Sequence, residues 1–180
     1  MNGSHHILVT FSEEKAISMV QLNRRHFTLA GAALAATGIV SRSSSAGTFE
    51  IVRSEEEWRR LLTPAQYVVL RKGGTERAGS SPLDGEKRTG TFHCAGCDLA
   101  LFASATKYDS GTGWPSFWQP LANAIATKPE RTLFGIQTEV HCRRCGGHLG
   151  HVFADGPKPT GLRYCMNGVA MSFKPTGAGS

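Results

Sequence analysis

The chain has 180 residues, 40% of them hydrophobic, which fits one domain plus an appendage and excludes a compositionally disordered protein. Its 21 glycines exceed average usage of about 7% and only 8% is aromatic, which favours a turn-rich fold of short strands over a helical bundle. Lys+Arg 20 against Asp+Glu 14 gives +6, a balance that does not by itself imply nucleic acid, and five cysteines are too few and odd-numbered for a disulfide-stapled miniprotein.

Residues 1–46 read as an address. Asn23-Arg24-Arg25-His26-Phe27 leads into the small apolar run Phe27–Val40. At 14 residues that run is too short to span a membrane, which takes about 20, and it suits a signal h-region. Ser44 and Ala46 stand at −3 and −1 of a cut after Ala46, and the adjacent arginines resemble the twin-arginine pattern. A chance arginine pair before a buried helix is the alternative. Met19 is a candidate start that leaves an ordinary-sized signal, and the pair His5, His6 is no metal site. The remaining 47–180 carries 16 basic and 12 acidic residues, a net of +4. Export through the twin-arginine route, to the periplasm, is expected, with no stable membrane span after cleavage.

Ser54-Glu55-Glu56-Glu57 forms a capping box, and Trp58, Leu61 and Leu62 supply an apolar stripe. Thr63-Pro64 starts a second helix, running to about Arg71 and stopped by Gly73-Gly74. Residues 75–90 read as loop. Strands follow: Gly90–His93; Thr132–Val140, with Phe134, Ile136 and Val140 on one face; His151–Phe153; Leu162–Met166; Val169–Phe173. The pattern gives two helices packed on an antiparallel β fold.

Cys94-Ala95-Gly96-Cys97 and Cys142-Arg143-Arg144-Cys145 are two C-x2-C knuckles. Two such knuckles make a tetrahedral four-thiolate site, which is closed and therefore structural, and its softness points to zinc. The 44 residues between them exceed a compact zinc ribbon, so the metal would clamp separated segments of a larger domain. Two disulfides, or thioredoxin-type C-x-x-C chemistry, are the alternatives. His93 and His141 each precede a cysteine and are expected to point away along their strands. Cys165 is left without a partner, either a small buried hydrophobe or a nucleophile. Arg163 two residues away would share its strand face and draw the thiol toward thiolate. His148 and His151 supply imidazoles of the kind that accompany a cysteine nucleophile.

Several strings resemble one family: Lys107-Tyr108-Asp109-Ser110-Gly111-Thr112-Gly113-Trp114-Pro115-Ser116-Phe117, Glu139-Val140-x-Cys142-x2-Cys145-Gly146, His148-Leu149-Gly150-His151-Val152-Phe153, Asp155-Gly156-Pro157, Thr160-Gly161 and Arg163-Tyr164-Cys165-x-Asn167. Over roughly 52–175 they are similar to the B-type peptide-methionine sulfoxide reductases. The resemblance implies a mainly β fold, two antiparallel sheets leaning together with short N-terminal helices, and one structural zinc ion. It implies thiol-dependent reduction of the R epimer of methionine sulfoxide in proteins or peptides. Cys165 would be the nucleophile and pass through a sulfenic acid. His148, His151 and Asn167 would bind or protonate the sulfoxide oxygen, with Arg163 favouring the thiolate. Trp114 would pack the ε-methyl group, or else be an ordinary core residue. Phe153 and Asp155 are weaker assignments, with an ordinary core position as the alternative for Phe153.

Many members carry a resolving cysteine where this chain has Thr112. With four cysteines on metal and one in catalysis, an external thiol from a thioredoxin-like reductant is expected to regenerate Cys165. A monomer that binds no nucleic acid is expected. Two rival classes are a zinc-ribbon module binding nucleic acid through Arg143 and Arg144, and a non-catalytic ligand-binding relative. The first leaves Cys165 and the paired histidines unexplained; the second has no need of the Arg163–Asn167 string.

Overall fold

The structure is a computed structural model and describes residues 49–133 and 135–177. The expected signal, 1–46, and its cleavage point lie outside the described residues. The Ser54 side chain caps α1 (Glu55–Leu61) by accepting from the Glu57 N–H, and the Glu57 carboxylate accepts back from the Ser54 N–H at 2.7 Å. Trp58 and Leu62 face inward as expected, whereas Leu61 lies on the solvent side, 60% exposed. Thr63 and Gln66 make the same reciprocal box at the start of α2 (Pro64–Lys72), with proline at the first position. Gly73, left-handed at φ 67°, ends α2 as the sequence predicts.

Among the described residues, nine strands form two antiparallel sheets: β1 (Gly90–Cys94), β2 (Ala100–Ala103), β3 (Lys107–Tyr108), β4 (Ser116–Phe117), β5 (Ile125–Thr132), β6 (Gly135–Cys142), β7 (His148–Phe153), β8 (Arg163–Met166) and β9 (Met171–Pro175). The smaller sheet runs β2-β1-β9 and the larger β3-β4-β8-β7-β6-β5. Phe117 of the large sheet stacks on Phe102 at 4.3 Å and meets Phe92 edge-on at 4.9 Å, so an aromatic cluster joins the sheets. All three rings are fully buried, beside Leu101, Val140, Leu149 and Met166. Buried rings in offset or edge-on contact add about 0.5–1.5 kcal/mol per pair beyond their area.

One expected strand is wrong. The chain reverses within Thr132–Val140: Thr132 ends β5, Gly135 begins β6 at φ 106°, and the two strands pair from Ile125↔Cys142 to Thr132↔Gly135. Val140 is buried, but Ile136 is 72% exposed and Leu133 fully so, and Phe134 lies outside the described residues. The polar strand β5 tolerates Pro129 because it lies at a sheet edge, where a missing N–H breaks no ladder. Residues 168–170 form a 3-10 turn before β9, so the expected strand Val169–Phe173 starts at Met171.

Candidate active site

Each C-x2-C pair occupies the end of a strand and the turn that follows it. Cys94 closes β1 and Cys142 closes β6. The turns are set by Asp98 N–H donating to Cys94 O at 2.8 Å and Gly146 N–H donating to Cys142 O at 2.9 Å. Gly146 is left-handed at φ 69°, and a Cβ there would lie 2.3 Å from the Phe49 ring, so glycine suits the turn and a side chain would have to displace that ring. The four sulfurs lie within 4.8 Å of one another, at 3.7 Å for Cys94–Cys145 and 3.5 Å for Cys97–Cys142. A tetrahedral ion with metal–sulfur bonds of about 2.3 Å sets its sulfurs ~3.8 Å apart, so the donor set fits zinc. All five cysteines are unpaired, so the disulfide alternative is not adopted. Neither His93 nor His141 joins the sulfur group: His93 Nδ1 is 3.0 Å from Asp98 O, and the His141 ring stands edge-on to Phe49. Because β1 and β6 belong to different sheets, an ion held here cross-links them.

Cys165 lies on β8 in a cleft of about 460 Å³ lined by Trp114, Gly150, His151, Phe153, Asn167 and the β5–β6 hairpin from Glu130 to Leu133. A larger cavity of about 690 Å³ between α2 and residues 80–83 contains no cysteine or histidine. Cross-strand pairing places Ser116, Cys165, His151, Glu139 and Lys128 in one row across β4, β8, β7, β6 and β5. Direct partners share a sheet face, so the imidazole of His151 is carried beside the sulfur by register alone. Gly150 permits this spacing, since a Cβ on it would lie 2.1 Å from the Cys165 carbonyl oxygen.

His151 Nε2 donates to Glu130 at 2.7 Å, and its ring lies 5.3 Å from that of His148. His148 is 3% exposed and does not line the cleft; Nδ1 donates to Glu139 at 2.8 Å and Nε2 has no protein partner. Glu139 is buried, which alone would raise its carboxyl, but hydrogen bonds from Lys128 and His148 outweigh that and lower it. Arg163 makes a two-pronged pair with Asp155 at 2.9 and 2.8 Å and stacks 4.4 Å over Phe153.

Burial pushes the Cys165 thiol up and outweighs the opposing pull of Thr112, Arg163 and Ser116. Arg163 acts toward thiolate, as expected of it.

The SelR domain family matches residues 62–175, from the residue after α1 through β9. A peptide methionine sulfoxide reductase MsrB of Pseudomonas putida (strain W619) is 54% identical over 127 residues, covering 70% of this chain and 96% of the relative. One from Leptospira interrogans is 49% identical, covering 70% of this chain and 97% of the relative. One from Methanosarcina barkeri is 51% identical over 125 residues, covering 69% and 88%. The chain belongs to the SelR domain family.

Within this SelR domain, three residues the sequence reading passed over organise the cleft. Glu76, in the loop after α2, holds both sides of it. Its carbonyl accepts from Trp114 Nε1 at 3.1 Å, and its N–H donates to Asn167 Oδ1 at 2.9 Å. Its carboxylate accepts from the N–H groups of Gly168 and of Val169, the latter at 3.0 Å. Asn167, 3% exposed, also donates through Nδ2 to Leu149 O at 3.1 Å, leaving one amide hydrogen for a ligand. Trp114 is thus a cleft residue tethered by its indole N–H. Glu130 and Glu139 are the other two. Nothing in a run such as Lys128-Pro129-Glu130 marks it as facing a histidine 21 residues on; only the hairpin brings them together.

Proposed function

We propose that this protein reduces methionine sulfoxide in peptides and proteins to methionine, acting on the R epimer, with Cys165 as its nucleophile. The observation that carries the reading is one cysteine outside the four-sulfur group, set in a cleft between His151 and Trp114. Sequence identity of about half to reductases of that name supports it.

The sulfoxide sulfur is electrophilic, and its oxygen leaves only when protonated. The Cys165 thiolate attacks that sulfur, with Arg163 and Thr112 offsetting the developing charge. His151 delivers a proton to the oxygen, Asn167 offers its free amide hydrogen, and His148 with Glu139 buttresses His151 from behind. Positioned acids of this kind contribute about 10²–10⁴-fold. The oxygen passes to Cys165 as a sulfenic acid, and the methionine leaves reduced by two electrons. Trp114 and Phe153 receive the ε-methyl group.

Regeneration falls to an external dithiol of thioredoxin type. One thiol attacks the sulfenic sulfur and expels water; its neighbour then breaks the mixed disulfide. The other four cysteines would hold one zinc ion, which supplies a cross-link between the sheets and takes no part in the reaction. We further propose that 1–46 directs twin-arginine export, that the domain works in the periplasm, and that it acts as a monomer. In a bacterium with that translocase, Arg24→Lys with Arg25→Lys should retain the protein in the cytoplasm.

The decisive assay supplies dithiothreitol and peptides carrying pure R or pure S sulfoxide. Reduction of R alone, lost in Cys165→Ser, is the expected result. Turnover of neither epimer by folded, zinc-loaded protein would sink the proposal.

A further inference from the structure

Cys165 is the end of a chain of hydroxyls. Thr112 Oγ1 lies 3.9 Å from its sulfur, Ser110 Oγ 2.8 Å from Thr112 Oγ1, and Ser116 Oγ 2.7 Å from Ser110 Oγ. At the far end, 3.0 Å from Ser116 Oγ, stands the carbonyl of Trp114. Ser116 is fully buried, so no water can rearrange its end of the chain.

A carbonyl only accepts, so Ser116 must donate to Trp114 O. Ser110 must then donate to Ser116, and Thr112 to Ser110. Thr112 reaches Cys165 with no hydrogen left to give, and the thiol S–H must donate to it. The four contacts are filled by four hydrogens in one way only. Ionising Cys165 removes one hydrogen, and one of the four contacts must then fail.

We propose that Ser110, Thr112 and Ser116 are positioning residues that set the protonation state of Cys165, holding the resting sulfur as a neutral thiol and yielding one neutral hydrogen bond when it ionises. Once the thiolate forms, Thr112 turns to donate to it. A bond to a charged acceptor is roughly twice as strong as a neutral one, so this contact survives and the shortage falls further along the chain. Thr112 therefore favours the thiolate, as does Ser116, which also acts on the sulfur, while Ser110 opposes it by claiming the Thr112 hydrogen. The charged and titratable groups around the sulfur are Arg163 on β8 with its partner Asp155, His151 on β7 with its partner Glu130, and Tyr108 on β3. None of them supplies or removes a hydroxyl hydrogen in the chain.

The proposal takes Cys165 as the nucleophile, as the functional reading does, but its test needs no sulfoxide. Full-length protein is alkylated with iodoacetamide across a pH series, and modification of the Cys165 peptide is followed by mass spectrometry. Ser110→Ala frees Thr112 and should move the profile to lower pH; Thr112→Val removes the thiolate's donor and should move it to higher pH. At neutral pH the two variants should differ roughly tenfold in rate. Thr112→Ser should restore wild-type behaviour, and Ser110→Gly should shift in the same direction as Ser110→Ala, which covers the case in which one Ser110 variant fails to fold. Shifts of the same sign for Thr112→Val and the Ser110 variants, or no shift in either, would overturn the chain. Absence of sulfoxide turnover would leave this result untouched.

Discussion

Gly150→Ala tests whether strand register places the nucleophile. The added Cβ would lie 2.1 Å from the Cys165 carbonyl oxygen and 3.0 Å from both Cα and Cε of Met166. A carbon and an oxygen not bonded to each other rest more than 3 Å apart, so β7 and β8 must separate by about 1 Å at the position where His151 faces Cys165. Overpacking of this kind costs about 1–3 kcal/mol in stability. A displacement of ~1 Å at reacting groups costs roughly 10²-fold in rate. The variant should therefore unfold at a lower denaturant concentration yet remain folded, with kcat for sulfoxide reduction down about a hundredfold. Gly161→Ala is the matched control. Its backbone is left-handed at φ 71°, so alanine is strained there, but its Cβ would meet nothing within 4 Å. It should lose about 1 kcal/mol and keep its rate. If Gly150→Ala turned over within threefold of wild type, the claim that β7–β8 register sets the catalytic distance would be wrong.

Four further expectations follow from the site. Glu76→Gln replaces the carboxylate that receives two backbone N–H groups at 168–169, and should raise KM more than it lowers kcat if Glu76 holds Trp114 and Asn167 rather than reacting. Removing the metal with a chelator should unfold the domain cooperatively, since a structural zinc site contributes on the order of 10 kcal/mol; retention of both sheets by circular dichroism would count against the cross-link. Burial raises the Cys165 thiol, so its contribution to stability is complete below the ordinary thiol range and fades as pH climbs through the higher folded value. Denaturation of wild type and Cys165→Ser compared at neutral and alkaline pH should show wild type losing ground only at alkaline pH. Thr112→Cys puts a second sulfur next to Cys165, so one equivalent of sulfoxide without reductant should consume two thiols in the variant and one in wild type, read by thiol titration.

What the sequence disclosed were the elements whose determinants are local. Ser54 with Glu57, and Thr63 with Gln66, write their capping boxes within four residues, and the structure forms both. The knuckle spacing encodes the sulfur cluster almost as directly. The hairpin at Thr132–Gly135 escaped because alternating apolar residues mimic one buried strand, while the true partner strand, Ile125–Thr132, is mostly polar and contains a proline. The pairing His151–Glu130 depends on that hairpin and so could not be read before it, and His148–Glu139 depends on the β6–β7 pairing. Glu76 was hidden for a different reason: half of its hydrogen bonds run through its backbone, for which the identity of a side chain gives no signal, and the other half reach backbone N–H groups more than 90 residues away.

The raised thiol of Cys165 has a chemical logic in a site without a resolving cysteine. Thiolate is the form that oxidants and alkylating agents attack, and on the proposed mechanism every oxidation of this sulfur would be repaired from outside the chain. A resting thiol kept neutral by burial is shielded from those reactions. The groups that can draw it toward thiolate, Arg163 and Thr112, are already in place, each held by a second residue: Arg163 by Asp155, Thr112 by Ser110. Activation then needs no new group to arrive, only a shift of charge within the cleft. On the proposed mechanism, a sulfoxide oxygen that takes the proton of His151 would weaken the hold of Glu130 on that ring and place positive character on the sulfur under attack. The substrate thereby supplies the electrostatic change that the free site lacks. On this argument Glu130→Gln, which keeps the hydrogen bond but removes the charge, should leave the alkylation profile of free Cys165 unchanged while altering the pH dependence of sulfoxide turnover. A shift in both profiles together would show that Glu130 acts on the sulfur itself.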